Sequence, residues 1–146
     1  PVPSFKGQRV AIDPTCKTAL NSKVMGGIVA CQVWAKPLED GSVAVVLYNS
    51  EPDLIFDCGP TIRQCRDGSK STCCNEAVVG AKAHPITVQW KDLHAVAPHF
   101  PVGSHPPTVV DMWSKVPLPQ HSAASYTTLV APSSAVLLHV KPPSVQ

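Results

Sequence analysis

Two apolar runs flanking a four-residue polar break dominate the middle of the chain: GGIVACQVWAKPL, then Glu39-Asp40-Gly41-Ser42, then VAVVLYN. Gly41 can take a positive φ without a Cβ clash and Asp40 favours the turn beside it, so the break closes a hairpin. Side chains of a strand alternate between two faces. On the first strand Val29, Cys31, Val33 and Ala35 share one face, and Ile28, Ala30, Trp34 and Leu38 the other. On the second, Val43, Val45 and Leu47 oppose Ala44, Val46 and Tyr48. An antiparallel sheet with one wet face alternates apolar and polar residues. This hairpin does not, so its second face needs a cover: the chain's own loops or another domain.

The other informative segments are also short, β-branched and bounded by turn formers. Strands are expected near 7–12, 27–37, 43–49, 86–91, 107–113, 124–131 and 135–141. The proline-rich joins, 97–107 and 116–119, cannot supply a central ladder because proline lacks the amide donor. The fold class that follows is all-β: an antiparallel Greek-key β-sandwich of about seven or eight strands. Residues 1–141 form a single domain and 142–146 a polar tail. Residues 51–84 hold four of the cysteines and break the strand rhythm, so they read as a Cys-rich insertion stapled by disulfides.

Charge is sparse, 15% of residues against about 25% in an average chain. The formal net charge is +2 with no basic run, which argues against nucleic acid as a partner. No window approaches the roughly 18 consecutive apolar residues of a membrane span. The chain opens at Pro1, which reads as a processed or excised piece. Cys16, Cys31, Cys58, Cys65, Cys73 and Cys74 make an even count, and disulfides in an oxidising compartment are the expected use. The favoured arrangement joins Cys16 to Cys31 and keeps the other four within the insertion.

Four motifs then occur in order: QVWAKPLEDGSVAVVLYN, ITVQWKDLH, VVDMWSK and YTTLVAPSSAVLLHVK. Together they resemble the C-terminal domain of family 27 glycoside hydrolases, the α-galactosidases and α-N-acetylgalactosaminidases. FKGQRV is similar to the segment that leads from barrel to sandwich in that family. Two departures stand out: the insertion at 51–84, and Ser133-Ser134 where a His-Gly pair often precedes the last strand. The resemblance implies that the nucleophilic and acid/base Asp residues of a retaining α-galactosidase-like parent lie on a barrel that has no counterpart here. It implies a non-catalytic accessory sandwich whose partner is a catalytic barrel or another subunit. It also implies a secreted, lysosomal or vacuolar, or cell-surface location. The alternative is a carbohydrate-binding or structural module of an extracellular assembly, with glycans as partners.

The side chains themselves favour no catalytic residue. Retaining glycosidases hold two carboxylates about 5–5.5 Å apart, whereas Glu39 and Asp40 sit side by side on a hairpin tip. Asp92 and Asp111 belong to motif segments and are expected to fix loops by accepting backbone amides. His94, His99 and His105 share one proline-rich loop but match no zinc spacing, and no cofactor motif is present. Trp34, Trp90 and Trp113 are the candidate sugar platforms; core or interdomain packing is the competing expectation for each.

Overall fold

The computed structural model describes residues 7–12, 31–50, 56–64, 68–77, 83–103, 105–119 and 122–143. In chain order the strands are β1 (Gln8–Ile12), β2 (Cys31–Pro37), β3 (Val43–Asn49), β4 (Phe56–Gln64) and β5 (Lys70–Ala77). After these come β6 (His84–Gln89), a 3-10 helix (Trp90–Ala95), β7 (Thr108–Asp111), β8 (Ser125–Val130) and β9 (Ser134–Lys141). Neighbouring strands are antiparallel throughout.

β1, β2, β3, β9 and β7 hydrogen-bond in that order into a five-stranded sheet, while β6 and β8 pair in a second layer. β6 packs on β2 and β3, and β8 on β3 and β9. The chain alternates between layers from β6 onward, and β9 returns to lie between β3 and β7, which gives the expected Greek-key character.

The sandwich interior follows from the alternation in the central hairpin. Cys31, Val33, Ala35, Val43, Val45 and Leu47 are buried, and the paired rows continue into Leu138, Val140 and Val109. Ile86, Val88, Tyr126 and Val130 face them from the smaller sheet, and Trp90, Leu93 and Phe100 complete the cluster. One polar residue continues the inward row: Asn49 is fully buried, and its Nδ2 donates to the Val130 carbonyl at 3.0 Å, bridging the two sheets.

Gly41 sits at φ 79, with its amide donating to the Leu38 carbonyl at 3.1 Å. A Cβ there would meet nothing within 4 Å, so the glycine is required by backbone conformation alone. Gly41→Ala should therefore cost about 1 kcal/mol, read by urea unfolding. A neutral result would mean the turn tolerates another geometry.

Three expectations need correction. The 51–84 span contains β4 and β5, a hairpin with its own two-stranded sheet. The strand expected at 86–91 instead runs over 84–89, and Trp90 begins the 3-10 helix. The strand expected at 107–113 ends at Asp111, because the Asp111 carboxylate accepts the amides of Trp113 (2.9 Å) and Ser114 (2.7 Å) and folds the chain into a turn. Residues 27–30 and the 142–146 tail from 144 onward lie outside the described residues. Cys31 is disulfide-bonded; Cys16, Cys65 and the side chains of Cys58, Cys73 and Cys74 lie outside them too.

Candidate docking face

Directly paired residues of an antiparallel sheet point to the same side, so the register gives the outer face of the five-stranded sheet. One row reads Arg9, Trp34, Val46 and Leu137. The next reads Ile12, Gln32, Tyr48 and Ala135. A third reads Lys36, Ala44, His139 and Val110. The centre is apolar and open: Trp34 is 38% and Tyr48 37% exposed, and Ile12 is exposed at one margin. The Trp34 Nε1–H donates to Gln32 Oε1 at 3.0 Å, tying the indole to a same-face neighbour. The chain's described residues thus leave the second face of the hairpin unsealed. Its cations, Arg9 and Lys36 with Lys141 at the end of β9, lie around the margin.

At the corner beside this face His139 lies against the hairpin tip. Ser42 Oγ donates to Asp40 Oδ1, and the Ser42 amide donates to the same oxygen at 3.0 Å. With its single proton spent on the carboxylate, the Ser42 hydroxyl accepts from His139 Nε2 at 2.6 Å, and Asp40 Oδ2 lies 3.9 Å from that nitrogen. This is not a nucleophile with its base. The imidazole donates to the hydroxyl when it would have to accept from it.

The carboxylates point the same way. Donors from Ser42, its side chain foremost, hold Asp40 below its ordinary value of 3.8. The Ser114 amide and hydroxyl do the same for Asp111. A general acid needs its pKa raised, so both carboxyls are turn acceptors. Each depressed value contributes stability that is complete above pH 3.8 and lost as pH falls through the lower folded value. Melting temperature should accordingly fall on acidification below about pH 4, and Asp40→Asn with Asp111→Asn should flatten that acid limb. An unchanged limb would show that these turns do not couple to folding.

The three tryptophans occupy three different settings. Trp90 is 2% exposed and its Nε1–H donates to the Ser122 carbonyl at 3.2 Å, so its faces are spent in the interior. Trp34 lies on the sheet face just described. Trp113 is 78% exposed on the turn after β7. The structure therefore does not gather them into one sugar platform. His94 donates from Nε2 to the Phe100 carbonyl at 2.8 Å, closing its loop, while His99 borders a cleft of about 310 Å³ between that loop and the hairpin tip. Among the described residues, no group of His, Cys, Asp and Glu is placed to hold a metal, and no helix is long and apolar enough to cross a membrane. Sequence reasoning missed the Asn49 bridge and the His139 corner.

Comparison with known proteins bears on this arrangement. The family model of the alpha galactosidase C-terminal β-sandwich domain matches residues 30–140. No curated protein matches the sequence. Among solved structures, the fold is similar to alpha-galactosidase I from Mortierella vinacea, with TM-score 0.56 and 15% identity over 97% of this chain and 24% of that one. A GH27 β-L-arabinopyranosidase from Geobacillus stearothermophilus gives TM-score 0.54 and 13% identity, covering 97% of this chain and 20% of that one. For a putative alpha-N-acetylgalactosaminidase from Bacillus halodurans the values are 0.52 and 10%, over 94% of this chain and 21% of that one. The chain thus spans 20 to 24% of the length of the structures it resembles.

Proposed function

The chain belongs to the α-galactosidase C-terminal β-sandwich domain family, and we propose that it is a non-catalytic accessory domain of an α-galactosidase-like glycoside hydrolase. The observation that carries this reading is the apolar row on the outer face of the five-stranded sheet, where exposed Trp34 stands beside half-buried Val46 and Leu137. A contiguous apolar patch on a soluble domain marks an interaction surface. Its occupant is the catalytic barrel, in the same polypeptide or on a partner chain, and the cations at the margin fit carboxylates on that barrel. Any glycosidic bond is broken on the barrel; this chain covers apolar surface there and stabilises it. The disulfide at Cys31 supports maturation in an oxidising compartment, which fits a secreted or lysosomal protein.

The test compares hydrogen exchange of the chain alone with the chain in the presence of its barrel. Protection should appear across β2, β3 and β9, and the chain alone should not turn over an aryl α-galactoside. Equal exchange in both samples, or turnover by the chain alone, would overturn the proposal. A second reading, a carbohydrate-binding module, has the exposure of Trp113 in its favour, since a free indole face can stack on a pyranose. Glycan binding by the isolated chain that disappears in Trp113→Ala would favour it.

A further inference from the structure

We infer that the cleft between the hairpin tip and the 97–101 loop is a second point of attachment for the catalytic barrel, taking one large apolar side chain from a barrel loop. This rests on the docking reading above and adds to it a place and a chemistry. The cleft has a volume of about 310 Å³. Four prolines meet there: Pro37 at the end of β2, Pro98 and Pro101 in the loop after the 3-10 helix, and Pro142 just past β9. Each has a fixed φ and no amide hydrogen, so these walls are stiff and present hydrocarbon without a donor. The main chain of both lips is also engaged within itself. On one lip the Leu38 amide donates to the Ser42 carbonyl at 2.9 Å, and the Gly41 amide to the Leu38 carbonyl at 3.1 Å. On the other, the Phe100 amide donates to the Ala97 carbonyl at 2.9 Å.

The lining also decides against a sugar. Among its described residues, only Ser42 and His99 have polar side chains. Ser42 is buried, and its hydroxyl already donates to Asp40 and accepts from His139. That leaves His99, which is exposed at the rim. Sugar hydroxyls entering here would give up water for too few partners. Phe100 is the aromatic side chain present, and it is packed into the core with no open face for stacking. An apolar group loses nothing by entering. The volume is about twice the roughly 150 Å³ that admits a benzene ring, enough for a side chain the size of Leu, Met or Phe.

Position selects the occupant. Pro37 closes β2, Ser42 immediately precedes β3 and Pro142 immediately follows β9. These three strands are neighbours in the five-stranded sheet, and their outer face is the proposed docking surface. The contact between His139 on that face and Ser42 in the cleft joins the two regions. A body seated on the face overhangs this edge, so its loop meets the cleft at high effective concentration. Stiff walls need no ordering on this side, which adds to the affinity gained.

Nuclear magnetic resonance of the native chain tests the chemistry. Millimolar N-acetyl-leucinamide should shift the amide resonances of Leu38, Gly41 and Phe100 and leave β6 and β8 unmoved, whereas D-galactose should shift none of them. Shifts from galactose, or none from the leucine amide, overturn the inference. Mixtures with the barrel test the occupant. Pro101→Trp sets an indole at the mouth, and Leu38→Glu sets a carboxylate in the wall; each should weaken association roughly tenfold or more. Unchanged association in both, with loss in Trp34→Glu, Val46→Glu, removes the cleft and leaves the docking face standing. Unchanged association in all three variants removes both. A dimer of the chain alone that Pro101→Trp dissociates assigns the cleft to a second copy and overturns the barrel as its occupant.

Discussion

Replacing Asn49 with Ala is expected to destabilise the sandwich by about 2 kcal/mol, because a buried inter-sheet hydrogen bond is lost and a void is left. For a domain of this size that lowers the melting temperature by about 4–8 °C. Asn49 ends β3 on the core side, and its amide reaches across to the Val130 carbonyl at the end of β8. Asn49→Asp should be worse still, since it removes the donor and sets a charge in an apolar interior. Urea denaturation reads the difference. If Asn49→Leu unfolds within about 0.5 kcal/mol of the native chain, the bridge contributes nothing beyond filling space.

A carboxylate placed on the outer sheet face should separate folding from docking. Trp34→Glu with Val46→Glu changes residues that face away from the core, so the isolated chain should keep its melting temperature within a few degrees. Association with the barrel should weaken by roughly a hundredfold or more, the scale set by central anchors of an interface. Reversal of the rim charge in Lys36→Glu should act differently, slowing association and doing so less at high salt. Sedimentation of chain and barrel mixtures, with calorimetry of each partner, separates these effects. Undiminished association in the double variant would place the interface elsewhere on the domain.

Much of this architecture is legible along the chain. The hairpin of β2 and β3 and the run that becomes β9 could be located because their apolar residues repeat every second position and their turn carries Asp40-Gly41. The same alternation held the signal that was missed. Val43, Val45, Leu47 and Asn49 form one inward row, so a polar residue there announces a buried partner. β4 and β5 gave no such pattern, because Gly59, Pro60 and the cysteines obscure alternation. The tryptophans look alike in sequence, each beside an apolar strand. What separates Trp90 from Trp113 is the Asp111 carboxylate, which turns the chain outward before the second indole. The His139 corner was illegible for another reason: it joins residues 97 positions apart, a pairing only the β3–β9 register supplies.

The position of β9 has a bearing on how such a chain is made. Its eight residues (Ser134–Lys141) insert between β3 and β7, which emerge from the ribosome well before it. Until Ser134 is free, β3 keeps an open edge and β7 has no partner in the layer. Bare edges of this kind recruit other chains, and late pairing between distant segments is slow. A nascent polypeptide halted before this strand would therefore be a substrate for chaperones, and a premature stop there should leave inclusion bodies in place of a shortened domain.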